Sequence, residues 1–326
     1  MNQNSNNLRP RRPRKNVVTH PGKHHFDEIL AVAILQLYYG KDSISVIRSR
    51  EKSVLDSADL VVDVGKVYAP EKGRFDHHQL DDDRLSRGVY RQGGYAAAGL
   101  VWRRFGRGIL RRRTSMAFAT GRNNCHPRIL DQEVVRKIVS KTFHVLDNLV
   151  MRPVDEWDNG YHRQVNDIVP AQHIIASLDF QDALKAARVF LQSSIKRILR
   201  YEAVKASLAE TLNYPGQPAL WEVAPNVLVL VGTDTVRPAT GMAETLIRER
   251  YPGSELVGLI SKEFSRDVWV LLLHNCRIDP RSLSKSYPDL QFHPSGRVAH
   301  GPSAESLLAA IRFAASTSGG VTRVRR

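Results

Sequence analysis

Apolar residues fall into short continuous blocks along the first half of the chain, with helix-spaced apolar positions between them. Val17-Val18-Thr19, Ser45-Val46-Ile47 and Leu60 to Val64 read as strands. The second and third are largely unbroken apolar runs, as in parallel strands buried on both faces. Between the first two, Ile29, Leu30, Val32, Ala33, Ile34 and Leu37 predict a largely buried helix from Phe26 to Tyr39, with Gly40 as its stop. Gly94 to Phe105 reads as a further helix whose Ala96, Ala97, Ala98 and Gly99 permit close packing, and helical patterns continue through 128–149. This alternation predicts an α/β domain built on a mainly parallel sheet.

The second half differs. Residues 180–212 hold no Pro or Gly and read as one or two helices, and Tyr214-Pro215-Gly216-Gln217-Pro218 then breaks the chain. Asn226 to Val231, Glu255 to Ile260 and Val268 to Leu273 are strand patterns, and Gly241 to Tyr251 and Ser303 to Ala315 are helical ones. No internal repeat is visible. The expected organisation is a disordered basic tail over 1–16, a first α/β domain over 17–179, a helical linker over 180–213, and a smaller α/β domain over 214–326 that ends in a basic tail.

A chain of 326 residues suits two domains, and its 42% apolar content suits a folded one. No run of about 18 apolar residues is present, so no membrane partner is expected. The first residues are polar and basic without an apolar core, which argues against a secretory signal. They are Arg-rich and acid-free as organelle-targeting segments are, but Pro10 and Pro13 interrupt them and no amphipathic pattern appears. Cys125 and Cys276 are the only cysteines and lack metal-ligand spacing, so a reduced, cytoplasmic setting is expected. The net charge is +15. Part of it sits in the tails, on Arg9, Arg11, Arg12, Arg14 and Lys15 and on Arg323, Arg325 and Arg326. Arg103, Arg104, Arg107, Arg111, Arg112 and Arg113 form a cluster inside the chain. Such a balance favours a polyanionic partner, nucleic acid first, over charge that merely solvates the surface.

The chemistry-bearing residues fall at the ends of these elements. His20 follows the first strand, and His25 and Asp27 stand at the entrance of the first helix. Asp63 ends the third strand, Asp76-His77-His78 follows it, and Asp155-Glu156-Trp157-Asp158 lies further on. In open parallel sheets, ligands collect at the carboxyl ends of strands. Taken singly, each piece has a plain structural reading. Asp27-Glu28 at a helix start is favoured by the helix dipole. Asp76-His77-His78 alone reads as a polar surface turn, and His24 is expected to be exposed and incidental. Asp63 is harder to dismiss, because a carboxylate in an apolar strand needs a metal, a cation or several hydrogen bonds. The pieces together point to mixed imidazole and carboxylate ligation of divalent metal, for which Mn²⁺ is well suited. Two such ions roughly 3.5–4 Å apart can clamp both the attacking and the leaving oxygen of a phosphate ester. No His-Glu-x-x-His helix, Walker loop or Gly-x-Ser-x-Gly elbow competes with this reading.

In this order the motifs resemble those of the DHH phosphoesterase superfamily, named for Asp-His-His. Within it they resemble the melanocyte-proliferating-gene family of metal-dependent exonuclease-like proteins. The match runs through Thr19 to Glu28 (Thr-His-x-Gly-x-x-His-x-Asp-Glu), Val61 to Gly65, Phe75 to Gln79, Ala98-Gly99-Leu100, and Val154 to Gly160. It covers residues 17–165 strongly. The resemblance implies a DHH-type catalytic domain, a connecting helix and a smaller substrate-binding domain. Carried over by position, His20, His25 and Asp63 would hold one ion. Asp27, Asp63, His77 and Asp158 would hold the other, with Asp63 bridging. His78 would contact the scissile phosphate and Asp155 would orient the ligands. His293 and Gly296 would bind substrate in the second domain. There the match departs from the family, with Ala299-His300-Gly301 where two glycines and a histidine are expected and Ala304 in place of an arginine, while Glu305 is retained.

The implied activity is metal-dependent phosphodiester hydrolysis, as a 3′–5′ exonuclease on RNA or other single-stranded nucleic acid. Two divalent ions are expected, Mn²⁺ first and Mg²⁺ second, and a homodimer is left open. One rival is a phosphoesterase for short oligonucleotides, cyclic dinucleotides or polyphosphate. Another is a nucleic-acid-binding protein that keeps the fold without turnover.

Overall fold

The computed structural model describes residues 14–79, 93–119, 131–161, 169–212, 220–231, 240–263, 267–273, 276–278, 283–316 and 321–323. The Tyr214 to Pro218 break and most of both basic tails lie outside the described residues. The chain divides into two units, one of residues 1–115 and 139–199, the other of residues 116–138 and 200–326.

In the first unit, strands β1 (Lys15–Thr19), β2 (Ile44–Arg48), β3 (Leu60–Val62), β4 (Tyr68–Ala69) and β5 (Arg74–Phe75) form one sheet in the order β2-β1-β3-β5-β4. All neighbours are parallel except β4 with β5. Strand β1 starts inside the segment expected to be disordered. Lys15 and Asn16 pair with Ile44 and Ser45, and Asp59 holds both, through Lys15 Nζ at 3.3 Å and the Asn16 amide at 2.9 Å.

Helix α1 (Phe26–Tyr39) is buried at every residue from Phe26 to Leu35. The cause is its position between the sheet (β2 and β3) and helices α5 (Arg152–Asp158) and α6 (Val169–Ser177). A helix covered on both sides must be apolar nearly all round, which is how Ile29 to Leu35 reads. The short α2 (Lys52–Ser57) closes the other face, with Val54 and Leu55 packed on Val18, Ala58, Val61 and Val64.

Helix α3 runs from Ala97 to Ala119, well past the expected end at Phe105. Gly106 and Gly108 lie within it and serve packing, since a Cβ at Gly106 would strike the Trp102 ring and one at Gly108 the Tyr38 ring. The longer helix carries the six clustered arginines on exposed positions. Trp102 faces inward and stacks on Phe143 of α4 (Gln132–Leu146) at 5.4 Å. A π-helical turn, Asp147–Met151, joins α4 to α5. Helix α7 (Phe180–Leu212) is one uninterrupted helix.

The second unit holds a six-stranded sheet in the order β11-β12-β9-β8-β7-β6. Its strands are β6 (Leu220–Ala224), β7 (Val227–Val231), β8 (Glu255–Glu263), β9 (Val268–Leu273), β11 (Gln291–Phe292) and β12 (Val298–Gly301). Only β7 and β8 are parallel, joined through α8 (Thr240–Arg250). Leu228 and Leu230 face Ile247 of that helix, while Val229 packs with Leu307 and Ile311 of α9 (Ala304–Ser316). Burial on both faces is why Val227 to Val231 is apolar without alternation. Strands β10 (Cys276–Ile278) and β13 (Val321–Arg323) form a separate antiparallel pair. The strand patterns at 255–260 and 268–273 therefore belong to a mostly antiparallel sheet. No helix among the described residues is long and apolar enough to cross a membrane.

Candidate metal centre

Four adjacent strands of the first sheet deliver polar side chains from their carboxyl ends. Strand β2 ends on Arg48, β1 leads into His20, β3 into Asp63, and β5 into Asp76-His77-His78. Parallel neighbours end on the same edge, so strand order alone sets these groups side by side. Helix α1 adds His25 at its N-cap and Asp27 in its first turn, and the end of α5 adds Asp158.

Asp63 lies at the middle. It occupies the left-handed region at φ +57°, an uncommon state for a non-glycine residue, and its amide is fixed to the Phe75 carbonyl at 3.0 Å. His77 Nε2 stands 3.1 Å from Asp63 Oδ1, and His20 Nε2 stands 3.4 Å from Asp63 Oδ2. His77 Nε2 also lies 3.3 Å from Asp158 and 3.9 Å from Asp27. His25 Nδ1 is 3.7 Å from Asp158, and the His20 and His25 rings are 5.5 Å apart. Three sets converge closely enough for one cation each: His20 with His25 and Asp63; His25 with Asp27 and Asp158; and Asp63 with Asp76, His77 and His78. All six side chains expected to be ligands are thus gathered at one edge.

The electrostatics show an excess of negative charge. Asp27 is completely buried, and neither carboxylate oxygen accepts a well-formed hydrogen bond. Burial first, then the Asp63, Asp158 and Glu28 carboxylates, raise its pKa well above the usual range, and the Glu28 amide offsets this only in small part. Burial also acts to raise Asp63, but hydrogen bonds from His20 and His77 outweigh it and bring its pKa to about 2. The same contacts act in reverse on the imidazoles. Asp63, then Glu28, lift His20 to about 10 against the effect of burial. Burial would lower His77, but Asp63 and Asp158 raise it. An orphaned buried carboxylate among acids and histidines fits a bound divalent cation, because oxygen and imidazole donors suit such ions.

Supporting groups fix the ligands. Asp76 Oδ1 accepts from the His77 amide at 2.7 Å, the His78 amide at 3.2 Å and His78 Nδ1 at 2.7 Å, while Oδ2 accepts from the Lys66 amide. His78 is raised chiefly by Asp76, and its ring stays half-exposed. Asp155 is buried, and its Oδ1 accepts the Gly99 amide proton at 2.9 Å. That bond ties the start of α3 to α5 one turn before Asp158. Glu28 and Arg48 extend the network beyond the expected residues. Glu28 is fully buried, in contact with His20 Nε2, and accepts from the Thr19 hydroxyl at 2.9 Å. Arg48 donates to the His20 carbonyl at 3.1 Å and the Gly22 carbonyl at 2.9 Å, and its guanidinium lies 4.5 Å from the centre of the Phe180 ring. Glu28 stood inside the quoted Thr19–Glu28 motif. The signal for Arg48 was an arginine at the end of a strand parallel to the one leading into His20.

One expectation is corrected. His24 is 8% exposed, not free at the surface. Its Nε2 meets the Ile175 carbonyl at 3.1 Å and its ring meets the edge of Phe180, so it latches α6 to the loop before α1. A histidine with an apolar body and one polar tip is readily buried when that tip is satisfied. His293 and Gly296 lie in the second unit, in the turn between β11 and β12, where His293 Nδ1 pairs with the Ser295 hydroxyl at 2.8 Å.

A cavity of about 490 Å³ opens on this edge, lined by His20, His25, Asp63 and His78 together with Arg50 and Lys66. These features define an α/β domain with a carboxylate–imidazole cluster at the carboxyl ends of parallel strands. The chain belongs to the MYG1 exonuclease family, described as an uncharacterised protein family (UPF0160), whose model matches residues 16–202, more than half of the chain.

The MYG1 protein of Dictyostelium discoideum is 31% identical over 159 residues, covering 47% of this chain and 41% of that protein. The MYG1 exonuclease of Mus musculus is 39% identical over 110 residues, covering 31% of this chain and 29% of that protein. The matches thus span less than half the length of these relatives. The crystal structure of RecJ in complex with Mg²⁺ from Thermus thermophilus aligns with 95% of this chain and 51% of that one. The TM-score is 0.26 and the identity 18%, a likeness too low to bear on the fold.

Proposed function

We propose that this protein is a metal-dependent phosphodiester hydrolase, a 3′–5′ exonuclease on RNA or other single-stranded nucleic acid, working through two divalent ions, Mn²⁺ first. The observation that carries the reading is the orphaned Asp27 carboxylate, buried beside Asp63, Asp158 and His77. Bringing that much negative charge out of water is costly unless cations meet it. The exonuclease name borne by the mouse and human relatives supports the choice of nucleic acid, as does the net charge of +15.

In this reading His20, His25 and Asp63 hold one ion, and Asp27, Asp63, His77 and Asp158 hold the other. Bound there, the ions would supply an activated water near neutral pH and neutralise charge on the phosphate. The protein's own groups do the rest. Asp76 accepts from His78 Nδ1 and favours the imidazolium, whose Nε2–H can then donate to a phosphate oxygen. Arg50 and Lys66 attract the strand into the cavity. Asp155 holds α5 in place through Gly99, and Arg48 holds the His20 backbone. The exposed arginines from Arg103 to Arg113 run about 15 Å along α3 and offer a track for backbone phosphates.

The test is cleavage of 5′-labelled single-stranded RNA and DNA with Mn²⁺ and with chelator. Products shortened one nucleotide at a time from the 3′ end, only with metal, are expected. Strand binding without metal-dependent cleavage would replace the hydrolase with a binding protein.

A further inference from the structure

A second cavity of about 300 Å³ adjoins the centre and shares His25 and Asp158 with it. Its remaining walls carry no metal-ligand set. Phe26, Trp157, Gln172 and His173 line it. Trp157 stands directly before Asp158 on α5, half-buried, and meets the His173 ring edge-on at 6.1 Å. Gln172 on α6 is only 7% exposed, and its amide nitrogen is buried without a hydrogen-bond partner. A buried amide donor left unmatched costs stability unless something entering the site completes it. The wall that carries Gln172 is fixed, because His24 pins α6 through the Ile175 carbonyl.

From this juxtaposition we infer that the cavity is a nucleobase subsite. The nucleotide whose phosphate meets the cation that His25 and Asp158 would hold places its base against Trp157, and a turn of the Gln172 side chain brings its unmatched amide to the base's polar edge. The assignment rests on the reading of the centre as a nucleic-acid hydrolase. The chemistry is specific to a flat heteroaromatic ring. Stacking on an indole needs a π face, and a carboxamide, which both donates and accepts, matches the mixed edge of a base. Ribose hydroxyls also donate and accept, but ribose has no π face, and an ionised phosphate has neither a π face nor a donor. A glutamine, with two donors and one acceptor, also makes the pocket selective among bases in a way that a purely aromatic wall is not.

Two measurements test this. The first needs no turnover: titrate adenosine, guanosine, cytidine, uridine and free ribose into the full chain and follow tryptophan fluorescence. Nucleosides are expected to quench the signal and ribose to leave it unchanged. Gln172→Leu should raise the nucleoside Kd roughly tenfold, the scale of one lost hydrogen bond with its buried partner unmatched. Gln172→Glu, which keeps the size but replaces donors with acceptors, should reorder the preference among the four bases. Mere loss of packing would not do so. The second compares kcat/KM on RNA ending in a complete nucleotide with RNA ending in an abasic ribose. The wild type should prefer the complete end by about ten- to a hundredfold, and Trp157→Ala should remove most of that preference. Nucleosides that bind no better than ribose, or an unaltered preference in all three variants, would overturn the subsite. Nucleoside binding without cleavage of any strand would support the subsite and refute the hydrolase.

Discussion

Replacing Gly99 with alanine strikes the site from behind. A Cβ at this position would lie 1.9 Å from Asp155 Oδ2, 2.8 Å from its Cγ and 2.7 Å from Tyr95 Cδ1. Ordinary van der Waals contact starts at 3.4 Å, so the carboxylate must retreat by about 1.5 Å. It cannot do so and keep the 2.9 Å bond from the Gly99 amide. Asp155 is fully buried on a short helix that ends at Asp158, so the retreat is transmitted to Asp158. Losing the bond to a buried carboxylate costs about 1–3 kcal/mol. Overpacking costs about 1–3 kcal/mol more. Against a typical domain stability of about 5–15 kcal/mol, the variant should fold but melt early. A ligand displaced by about 1 Å can cost on the order of a hundredfold in turnover. Chemical denaturation, Mn²⁺ titration and kcat/KM on a labelled strand measure the three effects. The double variant Gly99→Ala/Asp155→Ala removes the collision with the carboxylate and leaves only the contact with Tyr95. It should therefore lose less stability than the sum of the two single changes, by more than about 0.5 kcal/mol. Simple additivity of the two changes, or full activity in Gly99→Ala, would show that this close approach does not set the position of Asp158.

Three further outcomes follow from the same geometry. Asp27→Asn removes the cost of ionising a buried carboxyl beside other carboxylates, so at pH values where Asp27 is ionised it should stabilise the metal-free protein by roughly 0.5–2 kcal/mol while abolishing hydrolysis; a lower melting temperature there would contradict this. The His20 pKa is raised from 6.5 to about 10, so its contribution to metal-free stability is complete below about pH 6.5 and is lost as pH rises through about 10. Metal must displace that proton, so apparent Mn²⁺ affinity should rise by up to about tenfold per pH unit over this window, with proton uptake by the buffer on binding; calorimetry showing a flat affinity would refute it. Arg48→Lys keeps the charge but loses the planar fork that serves the His20 and Gly22 carbonyls, and should weaken Mn²⁺ binding by about ten- to a hundredfold; unchanged binding would remove Arg48 from the centre.

Much of this site was legible because a parallel sheet turns strand order into neighbourhood. His20 and Asp63 each follow an apolar run, His77 follows the two-residue strand Arg74–Phe75, and the fold brings such positions to one edge whatever the loops between them. The chemistry of Asp63 could be read without knowing its partners, since an acid closing a buried strand must be compensated. Other features depended on tertiary contacts that periodicity does not carry. Glu28 looks like any acid in a first helical turn until α1 is seen to be covered on both sides. Arg48 ends a strand as many surface residues do, and only the register Thr19↔Arg48 sets it beside His20. His24 seemed incidental because its partner, the Ile175 carbonyl, is 151 positions away. Helix α3 runs past Phe105 through Gly106 and Gly108, which give room there to the Trp102 and Tyr38 rings. In the second unit, the two-residue strand Gln291–Phe292 was too short to show a period of its own.

If one buried carboxylate set binds two ions and those ions carry the hydrolysis, ion content and cleavage must fall together. The direct measurement is a count of Mn²⁺ bound per chain, made on the same wild-type and Asp63→Ala samples that are assayed for cleavage of 5′-labelled single-stranded RNA. The wild type should hold two ions and shorten the strand only with metal. A folded Asp63→Ala should hold fewer ions and leave the strand intact. Cleavage that persists in chelator, or that survives undiminished in Asp63→Ala, would contradict it.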